Sequence, residues 1–249
     1  MWEARSRLNH ANNIIMARGK KYKEALSKIS EKDSYSVSEA VKLLKETSVV
    51  KFDATAEVHL KLGIDPKKAE QAIRGTTPLP HGTGKTLKIA AVVSDDKIKD
   101  ALAAGATSAG LEDLIAEFSS GKFNYDVVIA SPDVMRNLGK VAKTLGQKGL
   151  MPNPKSGTVT VDPIATIKEI QAGRVEYRND KEGNIHAIFG KVSFKAEQLE
   201  ENLRVILNVL RDAKPSTIKG TFIKSLSVNA TMAPSIKIGV NEMLKELSN

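Results

Sequence analysis

Alternating apolar and polar positions near both ends of the chain predict strands with one face in the core and one face in water. The alternation occurs in four segments, residues 55–62, 174–178, 184–189 and 222–231. In the last segment Lys224 interrupts the apolar face. Half-buried strands of this kind are typical of an antiparallel sheet.

Two amphipathic helices accompany these strands. Ser36 begins a capping box with Glu39, and apolar residues follow at helical spacing from Val37 to Leu44. A longer helix is predicted over residues 196–214, with a stripe of Leu and Ile, and a proline ends it. Each helix therefore has an apolar face that can cover a sheet.

The middle of the chain has a different pattern. Residues 87–93 and 126–130 are nearly continuous apolar runs. Helical patterns follow them at 95–104 and 132–145, and a third helix is predicted over 163–172. Buried strands followed by crossover helices are typical of a parallel α/β layer.

These patterns predict an α/β protein with two domains. Residues 16–82 and 174–249 would form a discontinuous α+β outer domain around an antiparallel sheet. Residues 83–173 would form an α/β domain inserted into it. Glycine-bearing segments at 80–84 and at Gly173 would connect the two domains and form a hinge.

Residues 1–15 are expected to be an extension outside the folded core. They hold two arginines but no long apolar stretch, which argues against a secretory signal, and the segment from Met16 resembles a natural start. No apolar run approaches the roughly 18 residues of a membrane span. The chain has no cysteine, which excludes disulfides and thiolate metal sites.

Charge favours a polyanionic partner. The net charge is +9 and the isoelectric point is about 9.5, which favours nucleic acid first and an anionic membrane second. Residues 1–82 and 174–249 carry +5 and +3, whereas residues 83–173 carry +1. The outer domain is therefore expected to make the main contact.

The segment 149–157, GLMPNPKSG, is predicted to be a stiff, shaped loop, because each proline fixes φ and restricts the residue before it. It lies in a stretch, 134–161, that has no acidic residue and five basic ones, Arg136, Lys140, Lys143, Lys148 and Lys155. Such a loop suits docking on phosphates. A solvated linker with a favourable charge is the alternative.

Motifs for catalysis are incomplete. The segment 81–86, HGTGKT, resembles the end of a P-loop, but the position that requires the first glycine is Leu79, between two prolines. The four histidines are scattered, and no serine lies in a GxSxG motif. We therefore predict no enzymatic activity, cofactor or metal. An enzyme that acts on nucleotides through the α/β domain is the rival hypothesis.

Two polar strand faces are candidates for contact with RNA. Their short donors and acceptors suit 2′-hydroxyls and base edges in a shallow RNA groove. The two sets are Thr55, Glu57, His59 and Lys61, and Ser225, Ser227, Asn229 and Thr231. Lys51 and Phe52 precede the first face and could contact a phosphate and a ribose. The aromatic content of 4% argues against binding of single strands by stacking, and a sheet that only shows its polar face to water is the alternative.

Long segments of the chain resemble the bacterial L-one family of large-subunit ribosomal proteins. They are KFDATAEVHLKLGIDPKK, IRGTTPLPHGTGK, GLMPNPKSGTV, RVEYRNDKEGNIHA and the turn from Thr231 to Pro234, and the resemblance spans residues 16–239. It implies that the inserted domain is a Rossmann-like, three-layer α/β domain. It also implies binding to the mobile stalk region of large-subunit rRNA, help in releasing exit-site tRNA, and repression of the protein's own operon mRNA. The implied location is the cytoplasm, in association with ribosomes. The resemblance also implies that the protein is a monomer when it is not bound to the ribosome and that it has no membrane partner.

Carried over by position, the resemblance implies a set of RNA contacts. The residues are Lys51, Phe52, Thr55, Arg178, Lys181, His186, Ser225, Thr231 and Met232. The residues expected to face tRNA are Arg136, Lys140, Lys148 and Lys155. Two positions depart from the family, Ala233 in place of Gly and Gln147 in place of Pro; alanine would be strained if position 233 required a positive φ.

Overall fold

The computed structural model describes residues 19–29, 32, 34–121 and 123–247. The extension predicted for residues 1–15, with His10 in it, lies outside the described residues.

The described chain alternates between helices and strands in both halves. The elements of the first half are α1 (Lys20–Lys28), α2 (Val37–Glu46), β1 (Thr55–Leu62), β2 (Arg74–Pro78), β3 (Ile89–Val92), α3 (Ile98–Ala103), β4 (Ser108–Gly110), α4 (Glu112–Ser119) and β5 (Val127–Ala130). Those of the second half are α5 (Met135–Leu138), α6 (Ala142–Gln147), α7 (Pro163–Gln171), β6 (Arg174–Arg178), β7 (Asn184–Lys191), α8 (Ala196–Asp212), β8 (Ile223–Ala230), β9 (Ile236–Ile238) and α9 (Val240–Glu246). This mixture of helices with parallel and antiparallel sheets confirms the predicted fold class.

The main sheet combines strands from both ends of the chain. Its order is β7-β1-β8-β9, and every pairing is antiparallel. The alternation predicted for β1 is present, since its apolar side chains are buried and its polar side chains are not. The helices α2 and α8 contact this sheet and bury their apolar faces on it. The capping box from Ser36 to Glu39 is confirmed.

A β-bulge explains the irregular position in the last long strand. Lys61 of β1 lies opposite Ser225, whereas the next residue, Leu62, lies opposite Ile223. Lys224 is therefore the extra residue of a bulge, and its side chain is exposed. The bulge also allows both neighbours on its amino-terminal side, Phe222 and Ile223, to be buried.

The middle of the chain forms three layers. The parallel sheet has the order β4-β3-β5. Alternate residues of β3 face opposite sides: Ala90 and Val92 pack against α4, α5 and α6, while Ile89 and Ala91 pack against α3 and α7. The helical pattern predicted over 132–145 is present as short α and 3₁₀ pieces and not as one continuous helix. Gly139 keeps helical dihedrals, and Val141, with φ −110° and ψ 7°, is the residue that departs from them.

The two connections between the sheets touch each other. They lie next to the antiparallel ribbon of β2 and β6, and the Leu79 N–H donates to the Gly173 carbonyl at 3.3 Å. Both Gly82 and Gly173 have positive φ, and a side chain at Gly173 would overlap the backbone of Gly82. These positions therefore require glycine. The contact supports the two-domain hypothesis, whose boundaries stay a prediction.

No helix within the described part of the chain is both long enough and apolar enough to span a bilayer.

Candidate nucleic-acid interface

Two threonines meet where β1 begins and β8 ends. Ala56 and Ala230 are paired across the two strands, which places Thr55 beside Thr231. The Thr231 Oγ1 accepts a hydrogen bond from the Thr55 N–H at 3.2 Å and donates to the Thr55 carbonyl at 3.4 Å. The two residues are therefore fixed relative to each other by the sheet and by the Thr231 hydroxyl.

Two large, exposed apolar side chains are close to this pair along the chain. Phe52 is 59% exposed and Met232 is 71% exposed. Met232 also has a φ of 67°, a left-handed conformation that is uncommon for a residue with a side chain. The four residues Phe52, Thr55, Thr231 and Met232 are called the threonine patch below.

The departure at Ala233 causes no backbone strain. The positive φ belongs to Met232, and Ala233 is 8% exposed and packs in the core of the main sheet. The concern that alanine at this position is strained is therefore wrong. Its small side chain fits in the core beside the main sheet.

Lys191, at the end of β7, is a residue that the sequence analysis missed. Its Nζ donates to the Thr55 Oγ1 at 2.8 Å and to the Asp53 carbonyl at 3.4 Å. The Asp53 carboxylate accepts from Ser193 N–H and Oγ–H, at 3.1 and 2.9 Å, which fixes the turn beside it. A register shift between Ala56 and Glu57 brings Lys191 opposite Thr55.

A histidine pair lies on the same face of the sheet. The Nδ1 atoms of His59 and His186 are 2.7 Å apart, and the Nε2 of His59 is 2.8 Å from the Oδ1 of Asn229. His59, expected to be an ordinary polar residue, therefore contacts both β7 and β8 through its side chain.

The turn between β6 and β7 is organised by Asp180. Its carboxylate accepts hydrogen bonds from the backbone N–H groups of Asn184 and Glu182, at 2.7 and 2.8 Å, and from the Asn184 side chain at 2.9 Å. These hydrogen bonds, with a smaller effect from His186 nearby, lower the pKa of Asp180 to about 2. The turn presents Lys181 to solvent and begins the strand that carries His186.

The predicted RNA residues do not all converge. Ser225 lies opposite Lys61, six positions along β8 from Thr231, which at about 3.4 Å per residue is roughly 20 Å away. Ser225 therefore shares a sheet face with the threonine patch without joining it. Lys51 is exposed and adjacent in sequence to Phe52.

The proline-rich loop is internally hydrogen-bonded. Pro154–Ser156 form one turn of 3₁₀ helix, and the Asn153 Oδ1 accepts from the Lys155 N–H at 2.8 Å. The Asn153 N–H donates in turn to the Thr158 Oγ1 at 2.8 Å. These contacts agree with the stiff loop predicted from its prolines.

The loop brings Lys155 to the β2–β6 ribbon. Lys155, Arg74 and Arg178 line one open cleft of about 560 Å³. The other cations expected to face tRNA lie on the helical segment instead: Arg136 in α5, Lys140 in the next turn and Lys148 after α6, all exposed. The structure thus places Lys155 next to a predicted rRNA residue.

These candidate cations pair with no carboxylate of the part of the chain that the structure describes. Within the described residues, the Lys and Arg side chains that pair with carboxylates are Lys32, Arg74, Lys85, Arg174, Arg204 and Arg211. None of the Lys and Arg side chains predicted to contact rRNA or tRNA is in that set. Their charge is available to an anionic partner.

The segment resembling a P-loop has the wrong context. Residues 81–86 lead into the strand β3, whereas a P-loop leads into a helix whose N-terminus binds phosphate. His81 instead contacts Glu201 at 2.5 Å. Across the described ranges, no cluster of three or more His, Asp or Glu side chains could hold a metal ion.

The chain matches the model of a known family. The model of the ribosomal protein L1p/L10e family matches residues 44–234, which is more than half of the chain. The matched span begins in α2 and ends just after Met232, so it contains the complete threonine patch.

Proposed function

We propose that the threonine patch is the contact of this chain with the stalk region of large-subunit rRNA. The premise is that the chain belongs to the ribosomal protein L1p/L10e family. Membership makes the chain a ribosomal protein of the large subunit that binds rRNA. The region of rRNA and the contact residues are our proposal.

One observation carries the proposal. Two exposed apolar side chains, Phe52 and Met232, lie within three residues along the chain of a pair of hydrogen-bonded threonines. Threonine hydroxyls can exchange hydrogen bonds with 2′-hydroxyls and phosphates of a folded RNA. When RNA covers the patch, Phe52 and Met232 exclude water, and hydrogen bonds are stronger in the resulting low dielectric.

Cations at both ends of this sheet face, which form no ion pair with the described residues, supply the attraction to the RNA backbone. Lys51 adjoins the patch, while Arg178 and Lys181 lie at the β6–β7 turn, near the opposite end of β1. Their contacts with phosphates would make binding strongly dependent on salt concentration. His186 and Ser225 add polar groups along the same sheet face.

A filter-binding assay with the full chain tests this function. We expect the protein to prefer a stalk rRNA fragment to an unrelated hairpin of equal length and charge. The double variant F52A/M232A should lose that preference, while L102A, which truncates an exposed leucine in α3, should keep it. Equal affinity of the unaltered protein for both RNAs would refute the proposal.

We further propose that the α/β part contacts exit-site tRNA and assists its release. The supporting observation is that Arg136, Lys140 and Lys148 are exposed and lack ion-pair partners among the described residues. Ribosomes carrying Gln at these three positions should release deacylated tRNA more slowly, with unchanged affinity of the free protein for rRNA. The same substitutions at Lys42, Lys99 and Lys219, which are also exposed, form the charge-matched control.

Lys155 is tested separately, because it shares a cleft with Arg178. A variant K155Q that changes only tRNA release would group this lysine with the tRNA-facing cations. A loss of rRNA affinity would group it with Arg178.

The third part of the proposal is repression of the protein's own operon mRNA through the same patch. One surface can serve two RNAs that fold alike, so an excess of stalk fragment should relieve repression in a cell-free translation assay. The F52A/M232A variant should not repress. In cells we expect the protein in the cytoplasm on ribosomes, and we expect the free protein to sediment as a monomer.

A further inference from the structure

A half-enclosed cleft adjoins the threonine patch on the far side of Thr55. It runs between the edge strand β7, the strand β6 and the connection that precedes β3, and its volume is about 320 Å³. We call it the β7 cleft. The polar residues that matter here are Thr55, Lys85, Arg174, Glu176 and Lys191.

Lys191 is the unneutralised Lys or Arg of this cleft. Lys85 pairs with Asp126 at 2.6 Å, and Arg174 pairs with Glu169 at 2.9 Å. The acidic member, Glu176, is bound to Arg74 at 2.8 Å. Lys191 has no carboxylate within ion-pair distance among the residues that the structure describes.

The corner formed by Lys191 and Thr55 presents hydrogen-bond donors. Because the ammonium group donates to the Thr55 Oγ1 at 2.8 Å, one lone pair of that hydroxyl is occupied and its proton is turned toward another acceptor. A lysine ammonium has three N–H groups, of which one reaches Thr55 and one the Asp53 carbonyl. The corner therefore offers one N–H and one O–H, beside a positive charge that no carboxylate of the described residues balances.

We propose that the mouth of the β7 cleft binds one backbone phosphate of the RNA held by the threonine patch, with Lys191 and the Thr55 hydroxyl as its donors. This inference rests on the proposed function, because Thr55 belongs to both sites. A phosphate oxygen satisfies both donors and the charge. The cleft thus adds one phosphate contact on the β7 side of the threonine patch.

The test separates removal of charge from removal of the hydrogen bond to Thr55. The variant K191Q loses the charge but keeps an amide donor for Thr55, and K191M loses both. Affinity for the stalk fragment is measured against salt concentration for each. The matched control is K42Q, because Lys42 is exposed on α2, a helix that covers the opposite face of the sheet.

Both Lys191 variants should reduce the magnitude of the slope of log K against log salt by about 0.7–0.9, the value for one lost phosphate contact. Relative to 1 M salt, that change lowers the affinity at 0.1 M by about fivefold to eightfold. K42Q should match the unaltered protein, and thermal unfolding should show that all three variants fold.

Three outcomes would overturn the inference. Unchanged slopes in both variants would mean that Lys191 makes no phosphate contact. A loss of affinity in K191M alone, with an unchanged slope, would make Lys191 only a positioning residue for Thr55. If the unaltered protein shows no preference for the stalk fragment, the proposed function fails as well. A normal preference, together with unchanged slopes in the variants, refutes only the phosphate site in the β7 cleft.

Discussion

At the scale of the residue, the Thr231 hydroxyl is the group whose removal is most informative. In T231V the Thr55 N–H loses an acceptor at 3.2 Å while the shape of the side chain is kept. We expect RNA affinity to fall by about 1–3 kcal/mol, the usual effect of an unpaired polar group. Filter binding measures this loss. The control is T107V, which removes a similar hydroxyl that accepts from the Ile89 N–H at 3.2 Å in the parallel sheet; an equal loss in both variants would contradict a specific role for Thr231.

Replacement of Met232 by glycine should have opposite effects on the stability of the protein and on its RNA binding. Its φ of 67° suits glycine, so M232G should stabilise the free protein by relieving about 1 kcal/mol of strain. The same change removes an exposed side chain from the threonine patch and should weaken RNA binding. M232A separates the two effects, because it truncates the side chain and keeps the strain. Urea unfolding and filter binding on the three proteins measure them, and a less stable M232G would contradict the strain argument.

The residues of the patch could be predicted only in part. Alternation places Thr55 and Thr231 on polar strand faces, and the resemblance to a family singles them out. The contact between them depends on strand register, which alternation does not specify. Lys191 was missed for the same reason, since the predicted strand stopped at residue 189 and a bulge in β7 shifts the pairing.

At the scale of the element, Asp180 makes the stability of the β6–β7 turn depend on pH. Its pKa is lowered to about 2 in the folded chain, below its ordinary 3.8, so its carboxylate stabilises the turn at neutral pH. That contribution is complete above about pH 4 and is lost as the pH falls through about 2. D180N should therefore have a lower free energy of unfolding than the unaltered protein at pH 7, by less than about 1 kcal/mol because solvent screens this partly exposed group.

The difference between D180N and the unaltered protein should disappear as the pH is lowered from about 4 to about 2. Thermal unfolding followed by circular dichroism across this range measures it. D65N is the control, since the Asp65 carboxylate accepts one hydrogen bond, at 3.2 Å, from the Lys67 N–H in another exposed turn. A difference that persists at pH 2 would contradict the link.

Elements with several periods of pattern were predicted well. The eight residues of β1 and the seventeen of α8 alternate or repeat long enough to fix both type and buried face. The three-residue strands β4 and β9 contain too few positions to show a period. The segment 132–145 has helical spacing, but Val141 departs from helical dihedrals, with φ −110° and ψ 7°, and interrupts it.

At the scale of the whole molecule, one buried side chain ties the connections to the outer sheet. Asn202 of α8 is 0% exposed. Its Oδ1 accepts from the His81 N–H at 3.1 Å, and its Nδ2 donates to the carbonyls of Gly82 and Phe189 at 3.0 and 2.9 Å. The side chain thus satisfies two backbone groups of the turn at Gly82 and the carbonyl of Phe189, the residue of β7 at the register shift.

We expect N202L to lower the free energy of unfolding by about 3 kcal/mol, because it leaves buried polar groups without partners. It should also expose residues 80–84 to limited proteolysis. N208L is a control on the same helix, since the Asn208 Oδ1 is buried without a hydrogen bond in the described structure, and its loss should be neutral or stabilising. Urea denaturation compares the two; equal destabilisation would argue that Asn202 acts through packing alone.

The contact between Gly82 and Gly173 allows the inserted segment to be deleted without a linker. Since the backbones of Gly82 and Gly173 are already in contact, residues 83–172 can be excised and the two glycines joined directly, with no added spacer. The paired ribbon of β2 and β6 and the Asn202 hydrogen bonds would remain on the retained side. Such a shortened chain should fold and still discriminate the stalk fragment, while losing any effect on tRNA departure, and an unfolded product would show that the antiparallel part depends on its insert.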